Sequence, residues 1–253
     1  MTISKLVDAA DAVSVIRDGD IVASSGWGGH GVAECILQAI EDRHLAGNGP
    51  RDLTLVWAGG QGDGQGRGLD HLGHAGLLKR AIGGHYGQIP KLAQLAVDGD
   101  IEAYNLPEGV LVHLYRSTAA GAPGLLTTVG IGTFVDPRFE GGKVNASTTE
   151  EIVELTERDG EEWLFYRGRP IDIAIIRGTT ADPLGNITTE REAVHLEILQ
   201  MAMAAKASGG YVICQVERIA EPGSLDSRDV RVPSGLVDAV LVADPDHHMQ
   251  TFG

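Results

Sequence analysis

The strongest constraint on the fold is a regular alternation: short apolar runs rich in β-branched residues are separated by longer amphipathic segments along almost the whole chain. Parallel strands buried on both faces have such continuous apolar runs, and the helices that connect them need amphipathic segments. The predicted strands are 20–24, 53–57, 101–104, 171–176, 211–216 and 237–242. The predicted helices are 8–16, 32–42, 70–79, 90–97, 107–119 and 190–206. The sequence therefore predicts an α/β fold, an open and mostly parallel sheet with helices on both faces.

One segment departs from this alternation. Residues 151–166 alternate apolar and polar side chains on either side of Asp159-Gly160, a dipeptide typical of a tight hairpin turn. We expect a β-hairpin excursion there. The chain shows no internal repeat and no long linker, so we expect residues 1–253 to form a single domain. It ends a few residues after the last predicted strand, and we expect a junction with further polypeptide at that point.

Composition excludes several classes of partner. The 20 Lys and Arg residues against 35 Asp and Glu give a formal charge of −15, with no basic stripe that could neutralise phosphate. We therefore expect no nucleic acid and no membrane surface as a partner. No apolar stretch reaches the roughly 18 residues needed to cross a bilayer, and the first residues lack the apolar run of a signal peptide.

The cysteine and histidine positions predict a cytoplasmic protein without a metal. Cys35 and Cys214 lie in apolar surroundings, which indicates free buried thiols in a reducing compartment. His71 and His74 are spaced to share a helix face, but no third and fourth ligand stand at a zinc spacing. We therefore expect the histidines to be solvated or satisfied by hydrogen bonds within the protein.

The first candidate site is the glycine-rich turn that follows the first predicted strand. Gly26, Gly28 and Gly31 have the spacing of the dinucleotide-binding fingerprint, between a strand and a helix. The second strand, however, is followed by Ala-Gly-Gly and offers no acidic residue to hold a ribose hydroxyl. Three interpretations stay open: a nucleotide site, a structural turn, or a seat for a carboxylate on main-chain N–H groups at a helix N-terminus, involving Gly28 and Gly29.

There are three further candidates, and the first two lie at predicted strand ends, where ligands bind in open α/β sheets. Gln61 stands within the run AGGQGDGQGRG, which is equally typical of a surface loop. Glu108 and Gly109 open a predicted helix, where a carboxylate also compensates the helix dipole. The segment Gly130-Ile131-Gly132 permits close backbone approach to a ligand or marks a bend.

Longer motifs carry a resemblance that covers residues from about 8 to 246. The ordered series is GWGGHGVAE, QGDGQGRGLDHLGHAGLLKRAIGGHYGQIPKL, YNLPEGVLVHLYRSTAAGAPG, VGIGTFVDPRFEGGKVN, AIIRGTTADPLGNIT and RVPSGLVDAVLVADPD. It resembles the α half of the family I coenzyme A transferases, most closely the acetate/propionate (short-chain acyl) branch.

The resemblance implies a CoA-transferase/NagB-like fold and a division of labour between two halves. The α half packs against a β half, as separate subunits or fused in one polypeptide, and the protein forms a hetero- or homo-oligomer. The nucleophilic glutamate belongs to the β half, so we expect no catalytic residue in this chain. Coenzyme A is a substrate, carried in turn as acyl-CoA and as a glutamyl thioester in a ping-pong scheme. The substrate-binding residues implied here are Gly28, Gly29, Gln61, Glu108, Gly109, Gly130, Ile131 and Gly132.

One residue departs from the family pattern. Glu108 stands where relatives usually carry glutamine. A carboxylate there repels an anionic substrate unless it is protonated, selects a polar one, or favours water as the acceptor. The alternatives are therefore a CoA-thioester or ring-opening hydrolase on the same fold, and a non-catalytic binding subunit.

Overall fold

A computed structural model describes residues 4–250. The strands are, in chain order, β1 (Ile21–Ser24), β2 (Leu53–Trp57), β3 (Leu78–Gly83), β4 (Glu102–Asn105), β5 (Gly124–Thr127), β6 (Val153–Arg158), β7 (Glu161–Arg167), β8 (Ile173–Arg177), β9 (Thr180–Ala181), β10 (Ile187–Thr188), β11 (Tyr211–Val216), β12 (Arg218–Ile219), β13 (Val230–Val232) and β14 (Ala239–Val242). The α-helices are α1 (Ala9–Ser14), α2 (Glu34–Leu45), α3 (Pro90–Asp98), α4 (Glu108–Ala119) and α5 (Ile198–Ala207). Short 3-10 helices lie at Gly68–Leu72, Ser234–Leu236 and Pro245–His247.

The largest sheet has seven strands in the order β14-β11-β8-β1-β2-β3-β4. Every neighbouring pair in it is parallel. The chain leaves the centre of the sheet at β1 in one direction and returns to its other side at β8. This confirms the predicted open parallel sheet, and the carboxyl ends of its strands share one edge.

Helices cover both faces of this sheet, as the sequence predicts. Leu53, Leu55 and Trp57 of β2 point to the face packed by α1, α2 and α3. Val56, between them, points to the opposite face, where α4 and α5 pack. Two apolar layers thus enclose the sheet, because alternate side chains of a strand face opposite sides.

The predicted hairpin is confirmed and extended. β6 and β7 pair antiparallel across Asp159-Gly160, both of which have positive φ angles. β5 adds to β7 and completes a three-stranded sheet. A further four-stranded sheet, in the order β12-β9-β10-β13, was not predicted. Its strands have only two or three residues each, too few for a period-2 pattern to be recognised.

The sequence prediction was wrong in two segments. Residues 70–79 were predicted as a helix. They contain the end of a 3-10 helix and the start of β3, whose apolar run is interrupted by the charged Lys79 and Arg80. The predicted helix 190–206 begins only at Ile198. Leu196 has a positive φ of 49°, which a helix does not allow, and Glu192 turns inward to pair with a buried arginine.

Both cysteines are free thiols, Cys214 buried and Cys35 half-buried. Burial raises the pKa of each thiol, so neither is poised as a nucleophile. Within residues 4–250, no helix is both long enough and apolar enough to cross a membrane.

Candidate active site

A cavity of about 780 Å³ opens at the carboxyl edge of the large sheet, in front of β1 to β4. The turn after β1, the loop after β2, the loop after β3 and the first residue of α4 surround it. We call it the glycine-walled cavity; its lining residues are Trp27, Gly28, Gly29, His30, Gly60, Gly62, Asp63, Gln65, His85, Gln88 and Glu108.

Two glycines show why the walls need this residue type. Gly28 has φ of 60°, a left-handed conformation that disfavours side chains. A Cβ atom on Gly60 would lie 2.5 Å from Nδ1 of His85, closer than any real contact. Glycine at these positions therefore allows the loops after β1, β2 and β3 to pack closely while the cavity in front of the loops stays open.

Main-chain hydrogen bonds fix the first two loops to each other. Gly28 donates its N–H to the carbonyl of Gly60, and Gly62 donates to the carbonyl of Gly28 at 3.1 Å. The N–H of Gly29 has no hydrogen-bond partner within residues 4–250, and Gly29 lines the cavity. Of the two predicted glycine donors, Gly28 is thus already engaged, and Gly29 is free to receive an oxyanion.

Gln61 occupies a different place from the one expected of a ligand-contacting side chain. It is fully buried, and its amide forms two hydrogen bonds with Ser24 at the end of β1. The Ser24 hydroxyl donates to Oε1 and Gln61 Nε2 donates to the Ser24 carbonyl, each at 2.8 Å. Its side chain does not line the cavity, so it supports the wall from behind.

Glu108 reaches the cavity, but its neighbour does not. Pro107 is the N-cap of α4 and Glu108 its first residue, so proline lies one position before the predicted first turn. The Glu108 side chain lies over Gly84, whose Cβ position is only 2.5 Å from Glu108 Cγ. Gly109 is exposed and does not line the cavity.

The segment Gly130-Ile131-Gly132 lies away from the cavity in this chain. Gly130 packs against Val135 and the hydroxyl of Tyr166, beside the three-stranded sheet. Gly132 donates its N–H to the buried carboxylate of Asp136 at 2.9 Å. The structure therefore brings together Gly28, Gly29 and Glu108, with Gln61 behind them, and leaves this segment apart. 

The charge of the cavity is unusual for an anion site. Its lining contains the carboxylates of Asp63 and Glu108 and the imidazoles of His30 and His85, but no Lys or Arg. A bound carboxylate or oxyanion would therefore depend on N–H donors. Within residues 4–250, no group of three or more His, Cys, Asp or Glu side chains is arranged to hold a metal ion.

Sequence reasoning missed several lining residues. Trp27 is 53% exposed at the cavity, a large apolar surface left uncovered. His85 and Gln88 follow β3, and they were missed because that strand was not predicted. The available signal was the Gly83-Gly84 pair, which ends β3 as the glycines after β1 and β2 end those strands.

Comparison with known proteins identifies the family of this chain. The model of the family described as Coenzyme A transferase matches residues 6–243. The chain belongs to the coenzyme A transferase family. The prediction made from the ordered motifs is thereby confirmed.

Three relatives show how much of other members of the coenzyme A transferase family this chain matches. It is 44% identical over 251 residues to the caffeate CoA-transferase of Acetobacterium woodii, matching 99% of this chain and 48% of that protein. It matches the crystal structure of the Escherichia coli O157:H7 acyl-CoA transferase YdiF, a thioester complex with CoA, with a TM-score of 0.95 and 39% identity over 100% of this chain and 49% of the other. The Escherichia coli K12 acetate CoA-transferase subunit alpha is 27% identical, over 95% of this chain and 97% of that subunit.

The three relatives differ in the share of their own length that this chain matches. The chain spans about half the length of the caffeate CoA-transferase and of YdiF. It spans nearly the whole of a polypeptide named as an alpha subunit.

Proposed function

We propose that this chain is the acyl-binding α half of an acyl-CoA:carboxylate CoA-transferase, which exchanges CoA between short-chain carboxylates together with a β half. The observation that carries the proposal is the glycine-walled cavity, which has a free main-chain donor at Gly29 and no cationic side chain. The length match to half of two CoA-transferases and to nearly all of an alpha subunit supports the two-part organisation.

In the proposed reaction, a glutamate carboxylate of the β half attacks the thioester carbonyl of acyl-CoA. The C–S bond breaks, CoA leaves as a thiolate, and an acyl-glutamyl anhydride forms. The thiolate then attacks the glutamyl carbonyl, which releases the acyl group as a carboxylate and leaves a glutamyl-CoA thioester. A second carboxylate enters and reverses both steps, so a series of substitutions at activated carbonyls replaces one difficult exchange.

This chain contributes binding and charge stabilisation. The Gly29 N–H donates to the acyl carbonyl oxygen as negative charge develops on it, and a preorganised donor of this kind lowers the barrier without reorganisation. The hydrogen bonds between Gln61 and Ser24 hold the turn that carries this donor. Trp27 covers one side of the acyl group with its exposed ring.

The test is CoA exchange by the full-length enzyme, meaning this chain with its β half, fused or separate. With acetyl-CoA and propionate we expect propionyl-CoA and acetate in equal amounts, and parallel lines in double-reciprocal rate plots. The absence of exchange, or intersecting lines, contradicts the proposal.

A matched pair of variants tests the cavity itself. Gly28→Ala and Gly47→Ala each place an alanine at a positive φ, 60° and 80°, with open space around the new methyl group. Both lose stability by about 1–2 kcal/mol through the same backbone cost. Only Gly28 borders the cavity, so we expect kcat/KM to fall at least about tenfold in Gly28→Ala, a loss of roughly 1.4 kcal/mol of transition-state stabilisation, and to change little in Gly47→Ala. Equal activities in the two variants contradict acyl binding here.

One observation favours a second candidate, a CoA-thioester hydrolase. The Glu108 carboxylate lines the cavity, where it can accept a hydrogen bond from a water molecule. If hydrolysis is the reaction, CoA is released at the same rate with and without acetate, and Glu108→Gln slows this release. If transfer is the reaction, acetate accelerates loss of propionyl-CoA and free CoA does not accumulate.

A further inference from the structure

Glu197 is a buried carboxyl group that takes no part in the reaction proposed above. It immediately precedes α5 and is only 4% exposed. Its Oε1 atom is enclosed and has no hydrogen-bond partner within residues 4–250. A carboxyl oxygen in such a place loses hydration without replacement, which favours the neutral acid over the carboxylate.

On one side, the chain neighbour of Glu197, Leu196, lies next to the glycine turn. Leu196 adopts a φ of 49°, a left-handed conformation that is rare for a bulky side chain. The Cδ1 atom of Leu196 lies 3.0 Å from the position that a Cβ of Gly31 would take. The strained corner at Leu196 thus packs directly behind the turn that carries Gly29, and such strain is concentrated at functional sites.

On the other side, Glu197 faces α4. The helices α4 and α5 pack against each other. The charge of Glu197 acts on Tyr115, and that of Glu108 acts on Glu197. Glu108 and Tyr115 are two turns apart on one side of α4, so the buried carboxyl lies against the helix face that begins at the cavity. The Tyr115 hydroxyl donates to the carbonyl of Val56 at 3.3 Å and is therefore not its partner.

Burial and a neighbouring charge act on this group in the same direction. Burial, and then the charge of Glu108, raise the pKa of Glu197 to about 7. Glu108 lines the cavity, whereas Glu197 is buried and is not among the lining residues.

The other elements packed against α5 bring titratable groups that are engaged elsewhere. Arg177 of β8 pairs with Glu192. Arg231 of β13 contacts the imidazole of His195 at 3.0 Å. Cys214 of β11 is uncharged because burial raises the pKa of its thiol. None of these three groups supplies a counter-charge to the buried carboxyl.

We propose that Glu197 is a positioning residue for Glu108: it stays protonated while the cavity binds the acyl group, so that it adds no further negative charge to those of Asp63 and Glu108. This inference depends on the function proposed above. When Glu197 loses its proton, its added negative charge repels both the substrate and Glu108. Binding of the carboxylate then weakens, whereas the chemistry at the glutamate of the β half is unchanged.

The kinetic test is the pH dependence of KM for acetate in the full-length enzyme. We expect KM to rise about fivefold as pH passes about 7, the size expected for charges several ångströms apart at an effective dielectric constant of about 40. We expect kcat to stay level and the rise to vanish in Glu197→Gln, which keeps a neutral side chain of the same shape. In Glu108→Gln the midpoint shifts to lower pH. A Glu197→Gln profile identical to that of the unmodified enzyme overturns the proposal.

A second measurement does not need activity. The infrared difference between the unmodified enzyme and Glu197→Gln, at about pH 6, should contain the carbonyl band of a protonated carboxyl group, which disappears as pH passes about 7. Absence of this band overturns the proposal. If no variant exchanges CoA but the band is present, the proposed function fails and the protonated state of Glu197 stands.

Discussion

The two halves of the sheet's carboxyl edge are built in opposite ways. In front of β1 to β4, glycines and main-chain hydrogen bonds enclose an open cavity. In front of β8 and β11, which we call the filled half, buried charged and amide side chains occupy this edge. Arg177 at the end of β8 pairs with Glu192, and Gln215 of β11 donates to the carbonyl of His247 at 2.8 Å.

This difference assigns ligand binding to the half with the cavity and structural support to the other half. The guanidinium of Arg177 also donates to the carbonyls of Met249 at 2.8 Å and Val32 at 3.2 Å. Val32 directly follows the glycine turn. The filled half therefore holds the base of the turn, and the open half presents the turn to a ligand. Substitutions in the filled half should cost stability, and substitutions at the open surface should cost binding.

The largest effect is expected at Arg177. Its side chain is fully buried, so Arg177→Ala leaves the buried Glu192 carboxylate with only the imidazole of His248 at 3.7 Å and removes two hydrogen bonds to main-chain carbonyls. We expect a loss of about 3–5 kcal/mol in the free energy of unfolding, measured by urea denaturation. Arg228→Ala, which removes an exposed ion pair with Asp226, is the control and should change nothing measurable. Equal stabilities of the two variants would contradict a supporting role for the filled half.

A smaller effect is expected at Gln61, behind the open half. Gln61→Leu leaves the buried carbonyl of Ser24 without its donor, which should lower the free energy of unfolding by about 1–3 kcal/mol. Gln65→Leu alters an exposed amide at the same cavity and should stay within about 0.5 kcal/mol. If Gln61→Leu is equally stable and only substrate binding is lost, Gln61 contacts the ligand after all.

The smallest effect is expected in the pH dependence of stability. It concerns the contacts of Glu34 and His71, which support the loop after β2. Glu34 accepts a hydrogen bond from the N–H of Gly68 and another from Nε2 of His71, at 2.9 and 2.8 Å. His71 Nδ1 contacts Glu41. Carboxylates only accept hydrogen bonds and a neutral imidazole has one N–H, so the pair of contacts requires the charged ring.

The sign of the pH effect follows from the pKa of His71. Burial lowers it, but hydrogen bonds to Glu34 and Glu41 outweigh burial and raise the pKa above its ordinary value. The stabilisation is complete below the unfolded-state pKa of about 6.5 and is lost as pH rises through the higher folded-state value. Urea midpoints at about pH 6 and pH 9 should therefore fall more in the unmodified protein than in His71→Gln. Equal falls would mean that His71 is not held as a cation.

The parts of the fold that local sequence predicts are those with strong local patterns. The bounds of β2 and β11 match the prediction because both are mostly apolar runs with one polar residue each, largely buried on both faces. β3 was not predicted because the charged Arg80 interrupts its apolar run. In the structure that charge is paired with Glu102 and Glu150, which are distant in sequence. Tertiary ion pairing thus overrode the local pattern.

The candidate site was predictable to a similar degree. Gly28, Gly29 and Glu108 meet because they follow parallel strands of one sheet, β1 and β4, whose carboxyl ends share an edge. The role of Gln61 depends on two hydrogen bonds to a residue 37 positions away, which no local pattern encodes. The environment of Glu197 likewise arises only from the packing of α4 on α5.

The central claim is that this chain binds the acyl group and that the attacking carboxylate lies outside it. The most direct measurement is peptide mapping by mass spectrometry after the full-length enzyme reacts briefly with propionyl-CoA. We expect a covalent CoA adduct on a glutamate outside residues 1–253, in smaller amount when Gly28 is replaced by alanine. An adduct on Glu108 or on any other residue of this chain would contradict it.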